Sequence, residues 1–527
     1  MKPLWVWGMI ALMGCAAGCS PPIETNDEGA AAHDAGSESP AAETAATEGR
    51  GDAAAEEGTG MDRTAPRVDP SADAWRPGPH LFIDDALIAE SEGLARTTHQ
   101  PLKYDGPVIP KGPKAWHEWP LFFLRVLPDP ESDGLRIWYN IRNNAEAVKD
   151  AGAKTAYAYA TSHNGVDWQR DPLGLIEVLG EQTNLYRKSA NHEFGMFLVD
   201  EGPDFANPAR RYKFAWDEGG IKIAFSPDGL NFTPHPTDGI DDMGDIIDGC
   251  WDPLRRRYIA ITKAHSRPED GYKGSTDNAK EGYRRLVGQS ESKDFIHWSP
   301  LRRIVVADPK EPGVWEFYGM VPRVRGELYI GFLRVLRDDL PAIEGGPVKG
   351  IGWTELCTSR DGENWTRWRE PFLDRNPQEG TFDHAMAWFG DIVTFGDREL
   401  IYYGGYSEGH KIGLRQIGAA RLRKNGFVSR YAGNAGGRLI TPPRILDAGK
   451  MTVNAKVGGE LRARLLDGQG QSYPGFGFDD CTPIRGDSVA HPITWRVGLD
   501  KLRGKPVSFE FQIANCRLFG FDLTNAE

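Results

Sequence analysis

The chain has 527 residues and a formal net charge of −13 at pH 7, and it contains 16 Trp, 16 Tyr and 23 Phe. This length is enough for two or three domains with large buried cores. The acidic balance argues against a basic surface for nucleic acid or for anionic membranes, so no nucleic-acid partner is expected.

Residues 1–19 have the pattern of a secretory signal peptide, with one lysine, an apolar run and then small residues. Two endings, LMGC at Cys15 and AAGC at Cys19, resemble the lipobox of bacterial lipoproteins, in which the cysteine becomes the lipidated first residue. The leucine favours Cys15, whereas Ser20 favours Cys19, and an ordinary cleaved signal is the alternative. The sequence therefore predicts an exported bacterial lipoprotein, periplasmic or on the cell surface, that is anchored in the membrane.

Residues 20–73 contain no Phe, Trp or Tyr and are rich in Ala, Glu, Gly, Ser and Thr. Such a segment cannot bury enough apolar surface to offset the entropy lost on ordering. We interpret it as a disordered acidic tether between the anchor and the folded part of the chain.

A turn motif recurs along the folded part. It reads TSHNGVDW at 161–168, FSPDGLNF at 225–232, ESKDFIHW at 291–298 and TSRDGENW at 358–365, and a weaker match ends at Phe427. The closing aromatic residues are spaced by 62 to 67 residues. A fixed period over five copies indicates a repeat architecture. Asp-Gly and Asn-Gly pairs favour tight hairpin turns, so the motif itself is interpreted as structural.

Each repeat also contains one short run of aromatic and β-branched residues, such as LRIWYNI at 135–141 and ELIYYGGY at 399–406, with no sustained helical period between the runs. Repeated small antiparallel sheets predict a β-propeller. We therefore predict an all-β chain with a five-bladed β-propeller over residues 80–432. The opening segment at 80–91 is expected to supply a strand to the last blade and close the ring.

The repeat pattern ends near Arg438, and strand pairs with turn signals continue to the last residue. Residues 438–527 are predicted to form a small β-sandwich. Cys481 and Cys516 lie in this region and are candidates for a disulfide in an exported protein. Cys250 and Cys357 lie in strand-like runs and are predicted to be buried thiols.

In a propeller, the residues near the start of each innermost strand gather around the axis at one face. Every predicted blade places a carboxylate there, and most add an aromatic residue or a histidine. The candidates are Trp116, Glu118 and Trp119 in blade 1, His192 and Glu193 in blade 2, Asp245 and Asp248 in blade 3, Glu316 and Tyr318 in blade 4, and Asp383 and His384 in blade 5.

Converging carboxylates raise one another's pKa, and this can create the protonated acid and the ionised base that glycoside hydrolysis requires. Nearby aromatic residues would stack on the sugar. The alternative for each carboxylate is a solvated surface charge, and the acidic segment 238–249 could instead hold Ca²⁺ on the propeller axis. No CxxC or HExxH spacing predicts a zinc site.

The DGxxW turns, WEFYGM at 315–320, the segment 380–410 and the C-terminal sandwich together resemble the five-bladed glycosidase superfamily of glycoside hydrolase families 32, 43 and 68. The likeness covers roughly residues 80–527 and is strongest to bacterial secreted proteins with a family-32 N-terminal-like domain. The resemblance implies a propeller that acts on a poly- or oligosaccharide through three acidic residues.

By position, the resemblance implies Glu118 as base or nucleophile, Asp248 or Asp245 as the helper aspartate, and Glu316 as the general acid. Asp383 would be a further polar contact. The chain lacks the WMNDPNG-like motif of family 32 in its first blade, so fructan specificity is not implied. The sequence thus predicts a glycosidase that acts as a monomer.

Two other functions are weighed beside the glycosidase. A non-catalytic surface glycan-binding protein on the same fold is the first, because a fold alone does not fix a function. The second is a sialidase-like enzyme, because the turn repeat resembles the Asp-boxes of sialidases. Sialidases need clustered arginines, and no arginine begins any of the predicted inner strands.

Overall fold

The computed structural model describes residues 74–275 and 281–525, which are almost entirely β-strands and turns. The predicted signal peptide, its two cysteines and the tether lie outside the described residues. Within these ranges the helices are α1 (Glu146–Asp150) and four short 3₁₀ helices at Pro208–Arg210, Pro268–Asp270, Phe478–Asp480 and Leu499–Leu502. No helix in residues 74–275 or 281–525 is long and apolar enough to cross a membrane. The prediction of an all-β chain is confirmed.

Five strands come first in the described chain. They are β1 (Ala74–Trp75), β2 (Gly78–Leu81), β3 (Glu90–Glu92), β4 (Ala95–Thr98) and β5 (Leu102–Ile109). The chain then forms five antiparallel groups of strands, here called units 1 to 5.

The strands of the units follow in chain order. Unit 1 contains β6 (Trp119–Pro128), β7 (Leu135–Arg142), β8 (Thr155–Ser162) and β11 (Leu185–Ser189), with the hairpin β9 (Glu177–Val178) and β10 (Glu181–Gln182) between the last two. Unit 2 contains β12 (Phe194–Asp200), β13 (Tyr212–Asp217), β14 (Ile221–Ser226) and β15 (Thr233–His235). Unit 3 contains β16 (Ile247–Asp252), β17 (Arg257–His265), β18 (Arg285–Ser292) and β19 (Arg302–Val305).

Unit 4 contains β20 (Trp315–Arg325), β21 (Leu328–Pro341), β22 (Lys349–Ser359) and β23 (Thr366–Leu373). Unit 5 contains β24 (Met386–Phe395), β25 (Arg398–Tyr406) and β26 (Arg415–Arg423), and β5 is its fourth strand. The runs identified from the sequence form the second strand of each unit. These strands are buried along nearly their whole length, for example in β7 and β25. Burial on both faces explains why they read as continuous apolar runs and not as alternating ones.

The first strands of the units contact one another in a closed cycle: β6 with β12, β12 with β16, β16 with β20, β20 with β24, and β24 with β6. The last unit is completed by pairing between β26 and β5, in which Ile417 lies opposite Ile109. One end of every unit therefore converges on a common centre, and the N-terminal strand β5 closes the cycle.

The rest of the described chain forms one further sheet. Its strands are β27 (Val428–Ala432), β28 (Gly437–Ile440), β29 (Arg444–Leu446), β30 (Lys450–Leu466), β31 (Ile484–Pro492) and β32 (Pro506–Thr524). The long strand β32 pairs with β30 along one edge and with β29, β28, β27 and β2 along the other. Strands β1, β3 and β4 join the same sheet.

The expectation that residues 80–91 close the ring is wrong. Residues 78–81 pair with β32, and β5 takes the closing position. Leu81, Phe82 and Ile83 are buried, whereas β5 is mostly half-exposed or exposed. An outermost strand leaves one edge in solvent and tolerates Pro107, so the polar segment suits that place and the apolar segment is buried elsewhere.

The repeated turn has the same hydrogen bonds in all four main copies. In the second copy, Ser226 Oγ accepts from the backbone N–H groups of Asp228 and Gly229, and Asp228 Oδ1 accepts from the two residues that follow. The glycines take φ between 66° and 80°, and Phe295 takes their place in the third copy with φ of 70°. The structural interpretation of the motif is supported.

Three of these turns are held by a side chain of the preceding unit in the cycle. Trp138 donates to the carbonyl of Gly229 at 2.7 Å, Tyr402 to that of Gly165 at 2.7 Å and Gln289 to that of Gly362 at 2.8 Å. Each of these three turns thus joins its unit to the preceding one.

The four described cysteines are free, buried thiols. This confirms the prediction for Cys250 and Cys357, whereas the disulfide considered between Cys481 and Cys516 is not formed. Cys516 lies opposite Val457 on β30, and the backbone N–H of Ala463 donates to Cys481 Sγ. Six residues of one strand separate those two positions, about 20 Å, far beyond the reach of a disulfide.

Candidate functional site

A cavity of about 520 Å³ opens where the five first strands converge. All five units contribute to its wall. Its aromatic side chains are Phe122, Phe123, Phe194, Tyr283, Tyr318 and Tyr406. The volume suits a small ligand such as one or two sugar rings, and aromatic faces of this kind pack against sugar rings.

The charged side chains that line the cavity are mostly cationic. They are Arg142, Lys263, Arg285, Lys411 and Arg415, and the one carboxylate among the lining residues is Asp245. The arginines project from the second and third strands of units 1, 3 and 5. Inspection of the residues before the innermost strands therefore missed them.

Asp245, predicted as a binding residue or helper, is on the cavity. Its side chain is 54% exposed and forms an ion pair with the buried Lys263. Burial works against ionisation of Asp245, but the charge of Lys263 and its hydrogen bond outweigh burial and lower the pKa of the carboxyl. The Lys263 ammonium also lies 4.1 Å from the ring centroid of Tyr318. Tyr318 itself lines the cavity, as predicted, and stacks on Trp388.

Glu316, predicted as the general acid, lies directly behind Arg285. Its side chain is fully buried, and Arg285 donates to both carboxylate oxygens at 2.8 Å. Burial raises the pKa of Glu316, although the positive charge of Arg285 opposes this. Arg285 also lies 3.7 Å from Asp338, and His410 Nδ1 lies 3.0 Å from the same carboxylate.

His410 lines the cavity and was not identified from the sequence. Burial lowers its pKa despite the adjacent Asp338 and so favours the neutral imidazole. The contact with Asp338 places the ring proton on Nδ1 and leaves Nε2 as an acceptor. Its only sequence signal is its position shortly after the second strand of unit 5.

Asp248, the second candidate for the helper, is not among the lining residues. It forms a bidentate ion pair with Arg334, at 2.6 and 3.0 Å, and both residues are buried. Burial raises the pKa of Asp248, and Arg334 opposes this. Since Arg334 also donates to the carbonyl of Phe389, this pair joins units 3, 4 and 5 beneath the cavity.

Two other predicted carboxylates are also buried with cations. Glu193 receives two hydrogen bonds from Arg187, at 2.7 and 2.6 Å. Asp383 accepts from Lys103 at 2.6 Å and from Tyr403 at 3.0 Å, and so joins β5 to unit 5. The expected ring of free carboxylates thus differs from the structure, because most of them neutralise cations from neighbouring strands.

Glu118, the predicted base or nucleophile, is half-buried and does not line the cavity. Its carboxylate accepts from the backbone N–H of Asn144 at 2.6 Å. Trp116 packs in the apolar cluster between units 1 and 5. Trp119 lies beside the cavity, where Arg415 and Arg142 lie 4.7 and 5.7 Å from its ring centroid.

The two predicted histidines have different positions. His192 is exposed and stacks on Phe194, which lines the cavity. Partial desolvation of the imidazole, together with the positive charges of Lys154 and Arg142, lowers its pKa. His384 is buried, with Nδ1 3.1 Å from the carbonyl of Asn376, and it is not a lining residue. Only Asp245 and Tyr318 of the predicted set therefore meet on the cavity wall.

A further carboxylate, Asp217, was not identified from the sequence. It ends the second strand of unit 2, opposite Phe194. Burial, with a smaller contribution from the charge of Asp245, raises its pKa to about 6. Within residues 74–275 and 281–525, no group of three His, Cys, Asp or Glu side chains is placed to hold a metal ion.

The comparisons with known proteins give no match to a family model or to a curated protein. Solved structures that the chain is similar to include a glycoside hydrolase, with 16% identity over 62% of this chain and 92% of that chain and a TM-score of 0.41. A β-1,2-mannobiose phosphorylase from Listeria innocua has 12% identity over 62% and 97% of the two chains, with a TM-score of 0.40.

An N-acetylgalactosamine deacetylase from F. plautii, solved with blood group B trisaccharide, has 16% identity over 64% of this chain and 97% of that chain, with a TM-score of 0.39. The names of all three proteins refer to carbohydrates or their linkages. Their substrates are properties of those proteins.

Proposed function

We propose that the chain is an exported glycoside hydrolase built on a five-bladed β-propeller, with its substrate in the cavity described above. The observation that carries this proposal is a pair of carboxyl groups, Asp245 on the cavity wall and Glu316 bound to the cavity-lining Arg285, whose environments push their pKa values in opposite directions. Two carboxyl groups whose pKa values are shifted apart in this way can supply the base and the acid of glycoside hydrolysis.

In this proposal Glu316 protonates the glycosidic oxygen, and the ionised Asp245 activates water or attacks the sugar carbon. Asp245 takes the role for which the sequence suggested Glu118, because it is the carboxylate on the cavity wall. Glu316 reaches the substrate only when Arg285 moves away from it, so ligand binding must draw the guanidinium into the cavity.

The test is product release from a panel of polysaccharides and aryl glycosides by the full chain and by Glu316→Gln and Asp245→Asn. Each variant is expected to lose at least about a hundredfold in kcat, in line with the usual contribution of a positioned acid or base. Glu131→Gln, an exposed change in the β6–β7 turn, is the matched control. Full activity of Glu316→Gln on a good substrate would show that the acid is assigned wrongly.

A second function, glycan binding without cleavage, is favoured by one specific observation. Asp248, Glu193, Asp383 and Glu316 are all neutralised by cations, so a single carboxylate faces the cavity. Binding of a glycan without product release, unchanged in Glu316→Gln, would favour this capture function over the hydrolase.

We also propose that the chain is exported and lipid-anchored through Cys15 or Cys19. The sequence of residues 1–19 supports this proposal. Expression of the full chain in a bacterium with labelled palmitate, beside Cys15→Ser and Cys19→Ser, tests it. Loss of label in one variant identifies the anchor, and the absence of label in the wild type would contradict lipidation.

A further inference from the structure

Three guanidinium groups line the cavity, and two of them form no ion pair within the described part of the chain. Arg285 is neutralised by Glu316. Arg142 and Arg415 form no ion pair with any carboxylate in residues 74–275 and 281–525. An unpaired arginine is ordinary on a surface, but these two side chains face a concave site whose remaining lining cations add to their charge.

Arg415 is the more unusual of the two, because it is 91% buried, with only 9% of its surface exposed. Its guanidinium lies 4.7 Å from the ring centroids of both Trp119 and Tyr406. Nη2 donates to the carbonyl of His410 at 3.1 Å, whereas the buried Nε has no hydrogen-bond partner among the residues that the structure describes. A buried charge with a free donor carries a large desolvation cost unless a ligand supplies an acceptor.

Arg142 lies beside the same tryptophan. Its guanidinium is 5.7 Å from the Trp119 ring centroid, and the side chain is half-buried. Burial lowers the pKa of Arg142, and the positive charge of Arg415 lowers it further. The two cations therefore repel one another beside a shared aromatic ring, and this repulsion is unfavourable until an anion lies between them.

We propose that the ligand of this cavity carries an oxyanion, such as the carboxylate or sulfate of an acidic sugar, which binds between Arg142 and Arg415. The planar guanidinium fork matches such groups and makes paired, charge-assisted hydrogen bonds with them. Lys411 at the cavity supplies a further positive charge, and Phe194 and Tyr318 are placed to contact the sugar ring. The inference deepens the proposed function, on which it rests, by naming the class of substrate.

An inorganic oxyanion such as phosphate or sulfate fits the same two arginines. The experiment therefore distinguishes an acidic sugar from an inorganic ion. Binding to the full chain is measured by calorimetry with glucuronate, galacturonate, N-acetylneuraminate and a 6-sulfated N-acetylglucosamine. Neutral counterparts of each sugar, inorganic phosphate and inorganic sulfate are measured beside them. At least one acidic sugar is expected to bind, with an affinity that falls as salt is added.

The variants are Arg142→Gln and Arg142→Lys, because Arg142 is half-buried and its replacement is expected to preserve folding. Arg142→Gln is expected to weaken binding of the acidic sugar by about thirtyfold or more, and Arg142→Lys by less. Arg398→Gln is the control. Arg398 begins β25, at the other end of the strand from the cavity-lining Tyr406, and the variant should bind the acidic sugar as the wild type does. Melting temperatures of all variants verify that they fold.

Equal binding of a sugar acid and its neutral counterpart would overturn the proposal. So would unchanged affinity in Arg142→Gln, or binding of inorganic phosphate or sulfate with no response to any acidic sugar. The result is independent of the hydrolase test. Cleavage of neutral glycans alone would support the hydrolase and refute the anionic ligand. Binding of an acidic sugar without cleavage would support the anionic ligand and contradict the hydrolase.

Discussion

Arg285 holds Glu316 with three hydrogen bonds, two from its guanidinium at 2.8 Å and one from its backbone N–H at 3.0 Å. The backbone hydrogen bond ties the start of β18 to β20, so the contact belongs to the fold as well as to the cavity. The guanidinium simultaneously faces Asp338 at 3.7 Å. One cation therefore compensates two buried carboxylates.

The asymmetry of this cluster predicts that Arg285→Gln destabilises the protein more than Glu316→Gln. Removal of the cation leaves two buried carboxylates uncompensated, which costs about 3–5 kcal/mol in unfolding free energy. Removal of Glu316 leaves Arg285 with Asp338 and should cost about 1–2 kcal/mol. Urea denaturation at pH 7 measures both values. Equal losses, or the reverse order, would contradict the shared-cation interpretation.

Asp217 predicts a change in the pH dependence of stability. Its pKa is raised to about 6, so the folded chain binds a proton there more readily than the unfolded chain. Stability therefore falls as pH rises from about 4 to about 6. Asp217→Asn removes this loss and keeps an acceptor for the N–H of Gly220. We expect a gain of about 1–2 kcal/mol at pH 7.5, after allowance for screening, and none below about pH 4.

Thermal unfolding of wild type and Asp217→Asn at several pH values measures this difference. Asp204→Asn, an exposed change in the same unit, is the control and should have no effect at any pH. A gain that persists unchanged at low pH would mean that the charge of Asp217 is not its cause.

The ion pair between Asp248 and Arg334 provides a test of whether Asp248 has a structural or a catalytic role. Asp248→Asn leaves the fully buried Arg334 without its counter-charge, and we expect a loss of about 3–5 kcal/mol in unfolding free energy. The double variant Asp248→Leu with Arg334→Met should recover much of this loss, because it removes both charges together. Denaturant titration of the single and double variants is the measurement. A fully stable Asp248→Asn with reduced kcat would assign the residue to catalysis instead.

The repeated turn predicts part of the acid sensitivity of the chain. Burial of Asp228 opposes its ionisation, but hydrogen bonds from Asn231 and Leu230 prevail and lower its pKa to about 2. Its contribution is present above the unfolded pKa, near 4, and is lost as pH falls towards 2. Asn164 occupies the same place in the first copy, so Asp228→Asn fits the geometry.

We expect Asp228→Asn to cost about 0.5–1 kcal/mol at pH 7, a small value because the turn is largely exposed. The difference from the wild type should vanish near pH 2. Acid titration of unfolding, monitored by tryptophan fluorescence, compares the two proteins. A constant difference from pH 7 to pH 2 would exclude the carboxylate charge as the source.

The sequence predicted the repeat, the second strand of each unit and the turn motif, because these depend on local chemistry. A Ser-x-Asp-Gly turn satisfies its own backbone groups, and a strand buried on both faces must be apolar. The partner of β2 was not predictable in the same way. Strand propensity does not identify a partner more than 400 residues away.

The site was predictable only in part for a related reason. Asp245 and Tyr318 were found because they lie near the starts of first strands. Arg142, Arg285 and Arg415 were missed because they come from other strands and meet only after the cycle closes. The cationic partners of Asp248, Glu193 and Asp383 also come from other strands. The carboxylates were therefore predictable from their positions in the sequence, whereas the cations that neutralise them were not.

The pairing of β5 with β26 has a consequence for biosynthesis. Ile109 lies opposite Ile417, so a ribosome makes one side of this seam some 300 residues before the other. At 5–20 residues per second, β5 waits about 15 to 60 seconds for its partner. Throughout that interval the nascent chain carries an unpaired edge strand, which is a template for aggregation. A chaperone that shields this segment until synthesis ends would therefore raise the yield of folded protein.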